Sequence, residues 1–169
     1  VGAVNDLAPA ESIAHLLKYD SVHGRFNGKV EAKGTQITFG NQQFPVLSER
    51  DPAAIGWDKY GVDIVLECTG IFTTKEKCQA HIKGGAKKVS LSAPAKDDMK
   101  TVVFGVNHES ISAQDDIISN GSCTTNCLAP LAKILNDAFG IESGFMTTVH
   151  SYTNDQPVVD AGHSDLRRA

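Results

Sequence analysis

Apolar and polar positions along the chain alternate with two different periods. Val1-Gly2-Ala3-Val4 followed by Asn5-Asp6 reads as the end of a parallel strand with a carboxylate at its tip. Pro9-Ala10-Glu11 opens a helical stretch through Ile13, Leu16 and Leu17, since proline is tolerated in a first helical turn. Over residues 29–47 the period shortens. Val30-Glu31-Ala32 and Thr35-Gln36-Ile37-Thr38-Phe39, joined by Gly34 and left at Gly40-Asn41, predict an antiparallel hairpin. Residues 62–68 form a buried-strand run, and residues 75–82 a helix stopped by Gly84-Gly85. Val89-Ser90-Leu91-Ser92, residues 101–106 and Ile117-Ile118 are predicted as further short strands. Leu128, Leu131, Ile134, Leu135 and Ala138 recur at helical spacing up to Gly140, and residues 145–149 read as an apolar strand ending at His150. Strands alternating with helices predict an α/β fold, a doubly wound parallel sheet with an antiparallel hairpin insertion.

One segment of that pattern carries chemistry. In Ser119-Asn120-Gly121-Ser122-Cys123-Thr124-Thr125-Asn126-Cys127-Leu128-Ala129-Pro130 a cysteine stands one residue past a helix-capping serine. Unpaired backbone N–H groups and the helix dipole favour an anion there, which is how a thiolate forms at neutral pH. A cysteine read without context is a small buried hydrophobe. Cys127, four residues on and on the same helical face, is expected to be such a packing thiol. Pro130 falls inside this helix and requires a local kink or a polar neighbour.

Composition narrows the class. Against 20 Asp and Glu, the 16 Lys and Arg give a net charge of −4 and form no basic stripe, so nucleic acid is not the expected main partner. No apolar run reaches membrane-spanning length. The four cysteines show neither paired metal-ligand spacing nor the density of a disulfide scaffold, which fits a reducing cytoplasm. The chain opens on a strand end without methionine and closes on Leu166-Arg167-Arg168-Ala169 without a helix stop. It is therefore expected to be cut at both ends, and the Gly-rich turn that normally precedes such an acidic strand tip is not in it.

Ser122-Cys123-Thr124-Thr125-Asn126-Cys127, together with Thr147-Thr148-Val149-His150-Ser151-Tyr152-Thr153-Asn154-Asp155-Gln156, resembles the paired active-site segments of the phosphorylating glyceraldehyde-3-phosphate dehydrogenases. Val4-Asn5-Asp6-Leu7, Tyr19-Asp20-Ser21-Val22-His23-Gly24, Glu49-Arg50-Asp51-Pro52, Glu67-Cys68-Thr69-Gly70, Ser92-Ala93-Pro94 and Gly105-Val106-Asn107-His108 stand in the family's order, so the likeness covers essentially the whole chain. It implies a truncated Rossmann-like NAD-binding domain over residues 1–122 and the start of an α+β catalytic domain over residues 123–169. It also implies a glycolytic or gluconeogenic oxidation of glyceraldehyde 3-phosphate, with inorganic phosphate, to 1,3-bisphosphoglycerate by a homotetramer. Cys123 would be the nucleophile and His150 its base. Ser122, Cys123, Thr124 and Thr153 would meet substrate or phosphate. Asp6 would bind the adenosine ribose, with Arg50, Thr69, Gly70 and Ser92 also on the cofactor side, and no metal is implied. The resemblance gives His15, His23, His81, His108 and His163 no catalytic role.

Asp6-Leu7 favours NAD, whereas Ala161-Gly162 departs from the Leu-Pro pair common in NAD-specific members and leaves NADP use open. The related erythrose-4-phosphate dehydrogenases share the cysteine and histidine strings, but Thr153 speaks for the glyceraldehyde enzymes. A non-catalytic binding protein on the same fold is the other rival, and the intact Cys123 and His150 argue against it. Residues 1–169 alone are expected to be aggregation-prone, to bind NAD poorly and to lack turnover.

Overall fold

A computed structural model describes residues 1–153. Asn154-Asp155-Gln156, Ala161-Gly162 and His163 lie outside the described residues. The chain divides into two compact units, Val1–Lys133 and Ile134–Ala169.

The first unit is α/β, with its longer strands in two sheets. β1 (Val4–Asn5) leads into α1 (Ala10–Lys18), and a two-stranded ribbon, β2 (Tyr19–Asp20) and β3 (Gly24–Arg25), follows. β4 (Val30–Lys33), β5 (Gln36–Phe39) and β6 (Gln42–Leu47) form an antiparallel meander. Its turns fall at Gly34 and Gly40, both at φ +59°, a backbone conformation that glycine adopts at no steric cost. The expected hairpin is present and gains a third strand, and β1 pairs in parallel with β6. Ala10 and Ala14, one turn apart, pack against Ile37, Phe44 and Val46 on one face of this sheet.

The second sheet is wholly parallel: β7 (Ile64–Glu67), β8 (Lys88–Leu91) and β9 (Ile117–Ser119). Register aligns Val65 with Val89 and Ile117, then Glu67 with Leu91 and Ser119, and all six are buried. α2 (Lys75–Lys83) covers this face with Cys78 and His81. Thr74 caps it, its hydroxyl accepting Lys77 N at 3.3 Å. The Gly84-Gly85 stop is steric. A Cβ at Gly84 would run into the Pro52 carbonyl, and Gly85 (φ +100°) turns against Asp58.

Three sequence expectations change. The parallel strands occupy two sheets rather than one, because among the described residues no pair joins edge strands β1 and β7. Residues 101–106 are not a strand. Asn107 folds them into a turn, accepting Val103 N at 2.8 Å and donating to Thr101 O at 3.0 Å, so only Thr101 bridges to Ser119. In the second unit, residues 145–149 form no strand and are exposed, having no ladder partner among the described residues. The last helix, α3 (Cys123–Phe139), ends where the pattern placed its stop. Gly140 lies at φ +72° and its N–H donates to Asn136 O at 2.9 Å. No helix among the described residues is long and apolar enough to cross a membrane.

The approach to β9 is pinned electrostatically. Lys100 Nζ at 2.7 Å, with Ser112 N at 2.7 Å and its hydroxyl at 2.9 Å, all donate to Asp115 Oδ2. The Lys100 bond, then those from Ser112, bring the Asp115 carboxyl from 3.8 down to about 2. A carboxyl depressed by folding stabilises the native state above its unfolded value and loses that contribution as pH falls through the folded one. Asp115→Asn is accordingly expected to lower the urea midpoint at neutral pH, the deficit shrinking as pH drops from 3.8 toward about 2. A deficit that stays constant across that window would contradict this role.

Candidate active site

In a parallel sheet every strand delivers its following loop to the same edge, and ligands collect there. Here β7, β8 and β9 run out at Glu67, Leu91 and Ser119, so Thr69-Gly70, Ser92 and Ser122-Cys123 all follow the carboxyl edge of one sheet. Backbone bonds across the edge fix these exits, Ser92 N donating to Glu67 O at 2.9 Å and Asn120 N to Leu91 O at 2.8 Å. Ser119, fully buried, locks the elbow. Its hydroxyl donates to Ala93 O at 2.7 Å and accepts Gly121 N at 3.0 Å.

Gly121 (φ +70°) then turns the chain into α3. Ser122 caps the helix as the sequence predicted, its Oγ accepting Thr125 N at 3.0 Å and lying 2.8 Å from Thr125 Oγ1. Asn126 ties the first turn back to the elbow, donating to Asn120 O at 2.6 Å and Ser122 O at 2.9 Å. Cys123 is thereby the first helical residue, exposed, at the positive end of the α3 dipole. Thr124 follows it, half-buried.

Beneath the β7 exit lies a buried polar line. Trp57 Nε1 donates to His81 Nδ1 at 3.2 Å, His81 Nε2 is 2.8 Å from Glu67 Oε2, and Glu67 Oε1 accepts Thr69 N at 2.7 Å and the Thr69 hydroxyl. Burial pushes the Glu67 carboxyl up, but the bonds from His81 and Thr69 outweigh it and hold the group below its ordinary value. Sequence reasoning missed Glu67 and gave His81 no role. The available signal was a charge in register with apolar Val65 on the same strand face.

The other predicted cofactor residues sit on the first sheet. Asp6 follows β1, exposed, with Oδ1 accepting Ala8 N at 2.8 Å. Asn5, a residue the sequence reading passed over, clamps the Glu49 backbone at 2.9 Å through both its Nδ2 and its Oδ1, tying the Arg50 loop to β1. A cavity of about 290 Å³ opens beside Asp6, lined by Leu7, Ala8, Pro9, Thr35 and Ser48 among others. A larger one of about 450 Å³, over Asp20, His23, Arg25 and Phe26, contains none of the predicted residues.

The four thiols differ. Burial, helped by the charges of Glu67 and Asp97, pushes Cys78 up to about 11, and its sulfur lies 3.0 Å from Phe72 O. Cys68 is exposed on the β7 exit, away from any helix start. Cys127 is exposed, not buried as expected, because α3 buries none of its residues among those described. In the second unit His150 is exposed and its Nδ1 donates to Ser151 O at 2.6 Å. Thr153 is also exposed.

Comparison with known proteins gives two family matches. Residues 1–75 match "Glyceraldehyde 3-phosphate dehydrogenase, NAD binding domain", and residues 122–169 match the C-terminal domain of the same family. The chain is 55% identical over 171 residues to a glyceraldehyde-3-phosphate dehydrogenase of Clostridium pasteurianum. It is 56% identical over 169 residues to that of Xanthobacter flavus, and 54% over 170 residues to glyceraldehyde-3-phosphate dehydrogenase 1 of Bacillus subtilis. Each alignment takes in 100% of this chain and 51%, 50% and 51% of the respective relative, so the chain spans about half the length of the curated relatives it matches.

Placement at a helix start makes Cys123 the thiol expected to react first with iodoacetamide at neutral pH, ahead of Cys68, with Cys78 last. Site-resolved labelling followed by peptide mass spectrometry measures the order. Cys68 or Cys78 labelling before Cys123 would overturn it.

Proposed function

Because the chain belongs to the glyceraldehyde-3-phosphate dehydrogenase family, we propose that the protein catalyses the NAD-dependent oxidative phosphorylation of glyceraldehyde 3-phosphate to 1,3-bisphosphoglycerate. The observation that carries this reading is Cys123, capped by Ser122, at the start of α3 on the same sheet edge as Thr69 and Ser92. Residues 1–122 form the cofactor domain and residues 123–169 begin the catalytic one. The residues on the cofactor side suit a dinucleotide. The exposed Asp6 carboxylate accepts ribose hydroxyls and repels a 2′-phosphate, favouring NAD, and a Cβ built at Gly70 (φ +73°) meets nothing within 4 Å, so the turn is open to a ligand.

Bound NAD supplies the hydride acceptor. Cys123 thiolate adds to the aldehyde carbon, giving a hemithioacetal whose oxyanion is met by backbone N–H groups at the α3 start. His150 takes the thiol proton, passes it to the hemithioacetal oxygen, and takes it again as the hydride leaves. The resulting thioester on Cys123 retains the oxidation energy. Inorganic phosphate attacks its carbonyl, the carbon–sulfur bond breaks, and the thiolate returns. Ser122, Thr124 and Thr153 supply short polar groups for the substrate phosphate and the attacking phosphate. The protein works as a homotetramer in a reducing cytoplasm, a setting that exposed Cys68, Cys123 and Cys127 suit.

The test is NADH formation from glyceraldehyde 3-phosphate, NAD and phosphate by a full-length protein carrying this chain. Cys123→Ser is expected to abolish it, and His150→Asn to slow it by roughly two to four orders of magnitude with NAD affinity nearly unchanged. An equal loss of NAD binding in His150→Asn would make that residue structural, and turnover surviving Cys123→Ser would exclude the thioester route.

A further inference from the structure

The proposed chemistry leaves the buried line beneath the β7 exit unused. Trp57, His81 and Glu67 are 5%, 4% and 3% exposed, and Glu67 occupies a row it shares with Leu91 and Ser119. An apolar side chain would fill that place without the desolvation cost of a buried carboxylate, so the group calls for an explanation.

Its polarity is fixed from one end. An indole N–H can only donate, so His81 Nδ1 accepts, the ring proton sits on Nε2, and Nε2 donates to Glu67 Oε2. An ionised carboxylate can only accept. Glu67 Oε1 therefore takes both the backbone N–H and the hydroxyl proton of Thr69. Of the two lone pairs on Thr69 Oγ1, one accepts Ile71 N at 3.1 Å. The other remains on an exposed turn, beside the open space over Gly70.

Building on the functional reading above, we propose that Trp57, His81 and Glu67 form a positioning relay that presents Thr69 Oγ1 solely as a hydrogen-bond acceptor, for a ribose hydroxyl of the bound dinucleotide. Thr69 touches the cofactor, and the three buried residues act through it. The same polarity turns away a phosphate oxygen, which needs a donor that this hydroxyl has already committed inward. An amide at position 67 breaks the line in either orientation. One sets N–H against N–H at His81, and the other does so at Thr69 N and sends the Thr69 proton outward.

The experiment measures NAD dissociation constants together with KM for NAD and kcat in the full-length protein. Thr69→Val and Glu67→Gln are each expected to weaken NAD binding about tenfold, the scale of one hydrogen bond, with kcat changed by less than about threefold. Thr69→Ser should bind as the wild type does. Glu67→Gln added to Thr69→Val should weaken binding no further, since both act through one hydroxyl. Unchanged NAD affinity in Thr69→Val, a residue on the exposed turn, would overturn the proposal. So would an undiminished effect of Glu67→Gln in the Thr69→Val background. If Glu67→Gln fails to fold, His81→Gln, whose amide can still donate to Glu67, should bind NAD more tightly than His81→Leu, and equal affinities would overturn the proposal. A wild-type protein that binds NAD with these effects but does not oxidise glyceraldehyde 3-phosphate would defeat the functional reading alone.

Discussion

The parallel register that sets Glu67 beside Leu91 and Leu91 beside Ser119 decides where three segments leave the second sheet. Because the strands end level, the β7 turn, the Ser92 loop and the α3 elbow share one edge without any long-range design of the loops themselves. Ser119 makes the arrangement rigid. With its hydroxyl donating to Ala93 and accepting from Gly121, a fully buried side chain couples the β8 exit to the elbow that aims Cys123. Loss of either bond would leave a buried polar group unsatisfied, at about 1–3 kcal/mol.

The two ends of this edge use different physics. At α3 the favourable field comes from backbone: the positive end of a capped helix start, held by Ser122 and Asn126, in an exposed position. At β7 it buries a negative charge and satisfies it with side chains, which dictates the direction of every proton from Trp57 to Thr69. The contrast in thiols follows. Cys78, packed on α2 near Glu67, is held protonated by burial and by that carboxylate, whereas Cys123 is exposed at a helix start.

What the sequence made legible was local. Gly34 and Gly40 marked the meander turns, Thr74 and Ser122 the helix caps, and Gly140 the stop of α3, because each acts on backbone close to it in sequence. Residues 101–106 misled because the Asn107 side chain competes with the ladder for the Val103 and Thr101 backbone, a choice β-branched content does not reveal. Residues 145–149 have strand composition, yet a strand needs a neighbour. The Asn5 clamp joins groups 44 residues apart and leaves no local trace. Glu67 could have been read: a carboxylate two residues after Val65 on a buried strand announces a partner, and His81, one helical turn after buried Cys78, faces the same way.

The proposed reaction runs through a thioester on Cys123, at the carboxyl edge of the second sheet. Mass spectrometry of the full-length protein, quenched in acid after mixing with glyceraldehyde 3-phosphate and excess NAD but no phosphate, tests it directly. A phosphoglyceroyl adduct is expected on the peptide containing Cys123, dependent on NAD and discharged when phosphate is added. An adduct on Cys68 or Cys127 instead, or none while NADH accumulates, would contradict it.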